Sequence, residues 1–289
     1  MSEAIKATNS RGRKAKFGRS WLPAHVLVWA YTVLLAVPLY YFLASAFKSN
    51  DAIFGHPLAP PTSLGLGNFR TAFETADLGT AVLNSALVTV LALALTLGLA
   101  VPAAFALARS EGRAASVIEK VFSLGFLIPT FAALFPTFLL AAATGLFHTR
   151  TFMVLLLPAT ALPLSVVILV QFMRTIPKEM EEAARMDGAS TFAVLRHIYT
   201  PMCLSGIATV LLLNFLSFWN EYLYSVILIG PDPDLRTVQV ALPTLKSVTG
   251  TDYGVLTAGT VLTLVPVWIA YTVLQKRMQT ALVSGAVKM

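Results

Sequence analysis

The sequence predicts an all-α integral membrane protein with six membrane-spanning helices. Of its 289 residues, 56% are hydrophobic and only 12% are charged, whereas about a quarter of the residues of a soluble domain are charged. The mean hydropathy of the chain is +0.74. Six apolar runs reach the roughly 20 residues that a helix needs to cross about 30 Å of hydrocarbon. These runs cover approximately residues 21–47, 81–108, 117–143, 151–173, 203–229 and 255–275.

The first apolar run follows a polar, basic segment, residues 1–20. This segment contains six Lys or Arg residues and a single acid, Glu3. The run after it is longer than the core of a signal peptide, which has about 7 to 15 residues. We therefore expect a basic tail at 1–20 and, from residue 21 to residue 289, a six-helix membrane domain whose first helix is not cleaved.

The distribution of basic residues predicts how the helices are oriented. An even number of spans places both termini on the same side of the membrane. If that side is the cytoplasm, it carries 16 of the 21 Lys and Arg residues and the outer side carries 5. The positive-inside rule therefore predicts cytoplasmic termini, two long external loops at 48–80 and 230–254, and a cytoplasmic loop at 174–201. We expect a short helix near residues 68–75 of the first external loop.

The cytoplasmic loop at 174–201, which we call the Glu-Ala-Ala loop, predicts two short helices joined at a corner. Pro177 suits the start of the first helix, because its fixed φ is helical and its missing N–H is not needed there. Gly188 is the expected end of that helix, since glycine tolerates the left-handed conformation. Ser190 can then cap the second helix.

The same loop resembles the EAA motif found in permease subunits of ATP-binding-cassette (ABC) importers. Thr200 departs from the pattern, because the family usually has Leu at this position. The segment Ser217-Phe218-Trp219-Asn220-Glu221-Tyr222 resembles the carbohydrate-uptake branch (CUT1 type), which includes the smaller maltose permease subunit. The tail at 285–288 resembles the same branch. The loop residues that match the motif are Glu182, Ala183, Ala184, Asp187, Gly188, Ala189, Ile198 and Pro201.

This resemblance implies a type I ABC importer permease fold, with a cytoplasmic coupling helix, in the bacterial cytoplasmic membrane. It implies a heterodimer with a homologous permease, two ABC ATPase subunits that bind ATP and Mg, an extracytoplasmic substrate-binding protein, and a carbohydrate substrate. Residues expected to couple to the ATPase are Glu182, Ala183, Ala184, Asp187, Gly188 and Ala189. Further ATPase contacts are expected in the C-terminal tail at Gly285, Val287 and Lys288. Contacts with the binding protein are expected in the second external loop at Ser247, Thr249, Gly250, Asp252 and Tyr253.

Polar residues recur every three or four positions in the fifth apolar run, at Asn214, Ser217, Glu221 and Tyr224. This spacing predicts one polar face on a single helix. We expect Asn214 and Ser217 to line a translocation path, and Glu221 to serve at an outer gate or in a helix contact. The alternative is that the polar face only holds helices together.

Several motifs are absent from the sequence. It has no phosphate-binding loop, nucleophile elbow or His-Glu-x-x-His motif, so we predict a transport subunit rather than an enzyme, with ATP hydrolysed by separate subunits. Its four His residues lack ligand spacing and it has one Cys, so we expect no metal site. The basic residues flank apolar runs instead of forming a stripe with interleaved aromatics, which argues against nucleic-acid binding.

Three alternatives remain open from the sequence. An ion-coupled secondary transporter would need acidic residues near the midplane and an internal inverted repeat, and neither is visible. A membrane scaffold without transport activity would not depend on the polar residues of the fifth run. An ABC importer of the same branch could instead carry a glycerophosphodiester or another polyol compound.

Overall fold

The computed structural model describes the backbone of residues 22–246 and 250–286 and the side chains of residues 24–246 and 250–275. Every regular element in these ranges is a helix. The longest helices are α1 (Leu22–Ser45), α4 (Leu78–Arg109), α7 (Arg150–Arg174) and α14 (Tyr253–Ala286). The helices of intermediate length are α5 (Arg113–Gly125), α6 (Thr130–Ala143) and α11 (Leu204–Trp219). The short helices are α2 (Asn50–Gly55), α3 (Gly67–Thr75), α8 (Lys178–Met186), α9 (Thr191–Val194), α10 (Thr200–Met202), α12 (Leu223–Leu228) and α13 (Val238–Ala241).

Four of the described helices are long and apolar enough to cross a membrane, and the number rises to six if two bent helix pairs each count as one span. The four single spans correspond to the first, second, fourth and sixth apolar runs of the sequence. The short helix expected in the 48–80 loop is also present as α3. These helices confirm the prediction of an all-α membrane fold.

The third apolar run, which we predict as one span, forms the helix pair α5 and α6. The two helices meet at an angle of 97°. Pro129 precedes the first residue of α6 with an extended backbone conformation, ψ 128°. Helix α5 ends at Gly125, and because Pro129 disfavours a helical conformation in the residue before it, the chain stays non-helical until α6 begins.

The fifth apolar run is also interrupted, so the prediction of a single helix through residue 229 is wrong. A bend of 76° separates the preceding helical segment, 191–202, from α11. Helix α11 ends at Trp219, and α12 begins only at Leu223. The Glu221 carboxylate accepts hydrogen bonds from the backbone N–H groups of Tyr224 and Ser225, at 2.7 and 2.8 Å. Because these N–H groups lie in the first turn of α12, Glu221 starts a new helix instead of extending α11.

The core lies where α4, α7 and α11 pack together. Small residues of α4, such as Ala100, are fully buried against apolar residues of α7 such as Val166. Helix α11 lies close to α7 at Gly206, where an added Cβ would lie only 2.5 Å from Cγ of Phe172. Such close packing of helix backbones through small residues is typical of membrane proteins.

One end of α4 is held by a hydrogen-bond hub around Asn84. The Asn84 amide group donates to the carbonyl oxygens of Asp234 and Arg236, at 3.0 and 3.1 Å. Its carbonyl oxygen accepts from the guanidinium of Arg150, the first residue of α7. The hub therefore joins α4, α7 and the chain leading into α13 at this end of the molecule.

Candidate functional site

The Glu-Ala-Ala loop forms the predicted helix, corner and second helix. Helix α8 ends at Met186, and Gly188 follows with a left-handed φ of +83°. The N–H groups of Gly188 and Ala189 donate to the carbonyls of Arg185 and Ala184, at 3.0 and 2.9 Å. These two hydrogen bonds define a Schellman motif, which satisfies carbonyls at a helix end.

The second half of the loop begins with the capped helix that we predicted. The hydroxyl of Ser190 accepts a hydrogen bond from the N–H of Ala193, at 3.2 Å. Helix α9 then passes into a π-helical turn at Leu195–Tyr199. The hydroxyl of Thr200 donates to the Leu195 carbonyl at 2.8 Å, so the residue that departs from the motif hydrogen-bonds within this turn. Turns of this kind are rare and often lie at functional sites.

The motif residues divide between an exposed and an inward face. The three inward residues, Ala184, Ala189 and Ile198, pack partly buried against the apolar cluster of α4 and α7. The small side chains of Ala184 and Ala189 let α8 lie close to the helix bundle. The exposed motif residues are Glu182, Ala183, Asp187, Gly188 and Pro201.

Three large apolar side chains of the loop are exposed, which the motif alone does not predict. Met186, next to the corner, is 88% exposed, Phe192 is 69% exposed and Met180 is 42% exposed. Methionine and aromatic residues are enriched in protein–protein interfaces. In the sequence, these apolar residues stand out because the loop is otherwise polar, and this pattern could have indicated an interface. In the structure they face outward near the exposed motif residues.

Glu181 lies on the inward side of α8 and makes the densest set of polar contacts in the loop. Its side chain is only 12% exposed, as is that of Arg109, whose Nε lies 3.2 Å from Glu181 Oε2. The hydroxyl of Tyr199 donates to the same oxygen at 3.0 Å, and Arg185 Nη2 lies 2.8 Å from Oε1. Arg109 also donates through Nη2 to the Ile176 carbonyl at 2.9 Å. The carboxylate thus joins α8 to the end of α4 and to the π-helical turn.

Two more exposed ion pairs surround the base of the loop. Arg174, at the end of α7, binds both carboxylate oxygens of Glu119 in α5, at 3.0 and 2.7 Å. Lys178, at the start of α8, contacts Glu111. The hydrogen bond from the Lys178 ammonium group and its positive charge hold the pKa of the Glu111 carboxyl below its usual range.

The polar residues of the fifth run do not share one helix face, contrary to our prediction. Asn214 is buried, and its amide donates to the Ser165 hydroxyl of α7 at 2.8 Å, which favours the alternative that the face holds helices together. Ser217 is exposed, in α11. Glu221 lies beyond the end of α11, where it caps α12 and also accepts from the Ser225 hydroxyl at 2.7 Å.

An open polar cleft of about 500 Å³ lies beside the break between α11 and α12. Its lining combines an aromatic ring, an amide, an ammonium group and a hydroxyl with three apolar side chains. Its lining comes from three separate segments of the chain, so no local pattern in the sequence pointed to it. The lining residues are Tyr222, Gln239, Leu242, Pro243, Lys246, Leu256 and Thr260.

Two of the predicted binding-protein contacts, Asp252 and Tyr253, lie where the 230–254 loop meets the 48–80 loop. Asp252 accepts from the N–H of Val255 at 3.1 Å, which caps α14. The N–H of Tyr253 donates to Asn50 at 2.8 Å, and the Asn50 amide donates to the Thr251 carbonyl at 2.9 Å. These contacts join the two loops into one surface.

The remaining predicted contacts are only partly described. Gly250 is exposed, with a φ of +154°. Ser247, Thr249, Val287 and Lys288 lie outside the described residues, as does the basic tail at 1–20. Gly285 lies in the last turn of α14, of which only the backbone is described.

Residues 98–283 match the family model described as "Binding-protein-dependent transport system inner membrane component". The matched segment begins within α4 and contains the whole Glu-Ala-Ala loop. The chain is also similar to the diacetylchitobiose uptake system permease protein NgcG of Streptomyces coelicolor, with 34% identity over 264 residues, 91% of this chain and 87% of the relative.

Two solved structures share the fold of this chain. One is a bacterial ABC transporter involved in the import of the acidic polysaccharide alginate, with a TM-score of 0.78 and 23% identity, covering 90% of this chain and 98% of the other. The second is a bacterial alginate ABC transporter in complex with an alginate pentasaccharide-bound periplasmic protein, with a TM-score of 0.62 and 16% identity, covering 90% and 96% of the two chains.

Proposed function

Since this chain belongs to the family of binding-protein-dependent transport system inner membrane components, we propose that it is a permease subunit of an ATP-driven importer that takes up a carbohydrate. As a member of that family it is a transport subunit and not an enzyme. The name of the relative NgcG refers to diacetylchitobiose uptake. The solved transporter whose fold this chain shares is involved in the import of the polysaccharide alginate. Both support a carbohydrate, either a sugar or an oligosaccharide, as the substrate.

The exposed corner of the Glu-Ala-Ala loop is the observation that carries this proposal. A short, capped helix presents two acidic residues, Glu182 and Asp187, beside the bare apolar side chains of Met186 and Phe192. Burying one such apolar side chain in a groove contributes about 1.5 to 3 kcal/mol. We assign this surface, with Ala183, to docking on an ATPase subunit.

The way in which this chain moves substrate follows from that docking. Closure of two ATPase subunits on ATP would draw together the docked loops of this permease and a homologous partner permease. The helix bundles would then favour the outward-open state, because ATP binding and docking stabilise that state relative to the inward-open one. We place both termini and the docking loop on the cytoplasmic side, as the distribution of basic residues suggests.

On the opposite side we propose that a substrate-binding protein docks where the 48–80 and 230–254 loops meet. The surface includes Gly250, Asp252 and Tyr253, and we extend it to Ser247 and Thr249. The exposed Ser217 and the polar cleft beside Glu221 are the parts of the path that this chain would contribute, whereas Asn214 would hold α11 to α7. In the C-terminal tail, Gly285, Val287 and Lys288 would make a second contact with the ATPase.

The test is ATP hydrolysis by the purified membrane complex in lipid. We expect an ATPase subunit to copurify, and its activity to rise when the binding protein loaded with one saccharide from a panel is added. Replacing Met186 with Ser should reduce ATPase copurification, whereas replacing the equally apolar Phe54 of α2, which is 65% exposed, should not. If no ATPase copurifies and uptake follows an ion gradient, the chain is a secondary transporter and the proposal is wrong.

A further inference from the structure

The docking face of α8 has a buried counterpart on its other side. Glu182 is exposed on the outer face, whereas the neighbouring Glu181 turns inward, with a side chain only 12% exposed. Its carboxylate meets groups from three parts of the chain: the end of α4, α8 itself and the π-helical turn. A carboxylate removed from most of the solvent is costly unless it is paired and hydrogen-bonded, and these three contacts compensate that cost while α8 is in place.

Arg109 is positioned by more than its ion pair with Glu181. Its guanidinium carbon lies 4.5 Å from the centre of the Tyr199 ring, an arrangement in which a cation is attracted to the ring face. The ring of Phe105, one helical turn earlier in α4, contacts the same tyrosine edge-on at 4.7 Å between centroids. Tyr199 itself is completely buried. The last turn of α4 is therefore locked onto the π-helical turn and, through Glu181, onto α8.

We propose that Arg109, Glu181 and Tyr199 form a clamp that transmits the displacement of α8 to α4. The inference rests on the proposed function, because it presumes that an ATPase moves α8. The three are positioning residues, since they lie behind the docking surface and not on it. The exposed pairs Lys178–Glu111 and Arg174–Glu119 give weaker support, because water and salt screen exposed charges.

The clamp makes a prediction that a merely stabilising contact does not. Loss of the clamp leaves the exposed residues of α8 available, so the ATPase still binds and still hydrolyses ATP. Movement of α8 is then no longer passed to α4, so the two helices change their separation when nucleotide is trapped. An intact clamp keeps that separation constant through the cycle.

The experiment measures the distance between α8 and α4 in the full complex in lipid. Spin labels are attached at Glu179 of α8 and Leu99 of α4, both exposed, in a background with the single cysteine, Cys203, replaced by Ala. The distance distribution is recorded without nucleotide and after trapping with ATP and vanadate. The variants are Glu181→Gln and Arg109→Gln, alone and together. Glu74→Gln serves as the matched control, because it removes the carboxylate of an exposed ion pair with Arg70 in α3.

In the parent complex and in the Glu74→Gln control, we expect the distance between the α8 and α4 labels to be the same without nucleotide and after trapping. Glu181→Gln and Arg109→Gln should each give a distance that shifts between states, with ATPase copurification and basal hydrolysis unchanged. The double variant should shift no further than either single variant, because both remove the same link. Tyr199→Phe, which removes only a hydroxyl group, should give a smaller shift and carries the test if the charge variants do not assemble.

Two results would overturn the clamp, and they can be told apart. If the single variants and Tyr199→Phe keep the distance of the parent complex in both states, α8 and α4 are joined by other contacts and the clamp is wrong while the proposed function stands. If the parent complex contains no ATPase, the proposed function fails, and the clamp's role in transmission fails with it.

Discussion

Replacement of Gly188 isolates the contribution of backbone conformation at the docking corner. Gly188 has a φ of +83°, and a Cβ added to it would meet no atom within 4 Å. An added Cβ is therefore free of steric overlap with the rest of the chain, so the main effect of a substitution comes from the backbone preference of the new residue. A left-handed conformation costs an L-residue about 1 to 2 kcal/mol, and a β-branched residue is at the unfavourable end of that range.

The expected magnitude follows from that cost. A penalty of about 1 to 2 kcal/mol lowers the ratio of correctly folded to misfolded corners by about 5- to 30-fold. Gly188→Val should therefore reduce stimulation of ATP hydrolysis by the loaded binding protein by up to this factor. Gly188→Ala should give a smaller loss, and Gly188→Asn should stay close to the parent, because asparagine adopts the left-handed conformation readily.

The assay compares these three variants in membranes with equal amounts of assembled complex, measured by copurification of the subunits. The order Gly, Asn, Ala, Val in falling activity would support a conformational role for the corner. If Val performs as well as Asn, the left-handed corner is not needed. If Asn loses as much as Val, the surface chemistry of the corner matters instead of its conformation.

Three other changes have effects that the structure specifies. Gly206→Ala places a Cβ 2.5 Å from Cγ of Phe172, so it should destabilise the helix bundle by about 1 to 3 kcal/mol. The thermal midpoint of unfolding should fall, and adding Phe172→Leu should partly restore it. Glu221→Ala removes the acceptor for the first N–H groups of α12, which should cost about 1 to 2 kcal/mol and speed hydrogen exchange in α12 but not in α11. The Glu111 carboxyl has a pKa lowered below 4.5 by Lys178, so its contribution to stability is present above that pH and is lost as the pH falls through the lowered pKa. The thermal midpoints of the parent and Lys178→Gln should therefore differ by a constant amount from about pH 8 to about pH 5 and converge only in stronger acid, whereas convergence near neutral pH would contradict the assignment.

The features predicted correctly from sequence depend on signals that lie close together in the chain. A long apolar run forms a helix because every backbone polar group must be satisfied within the hydrocarbon region. Gly188 and Ser190 marked the corner of the Glu-Ala-Ala loop because helix ends need a left-handed residue and a capping hydroxyl. These local rules gave the long spans, the short helix in the 48–80 loop and the helix–corner–helix form.

The features that the sequence did not predict depend on contacts between distant parts of the chain. Periodicity assigned Glu221 to the face of a continuous helix, but hydrogen bonds from its carboxylate to two backbone N–H groups start a separate one. Glu181 faces the helix bundle because of its contacts with Arg109 and Tyr199, which are distant in the sequence. Nothing in the local sequence separates it from Glu182, because the spacing of charges does not show which of two neighbours faces the bundle.

The Asn84 hub and the clamp at Arg109 suggest how a small movement of α8 acts at the far end of the membrane domain. Asn84 and Arg109 lie in the same helix, α4, about 37 Å apart at 1.5 Å per residue. Asn84 joins α4 to the start of α7, and Arg109 joins α4 to the loop that follows α7. Two helices packed along their lengths and joined at both ends move as one body, since close-packed side chains transmit displacement with little compression. We therefore expect the relative motion to be taken up where the helices are interrupted, at residues 220–222 between α11 and α12, which is also where the polar cleft lies.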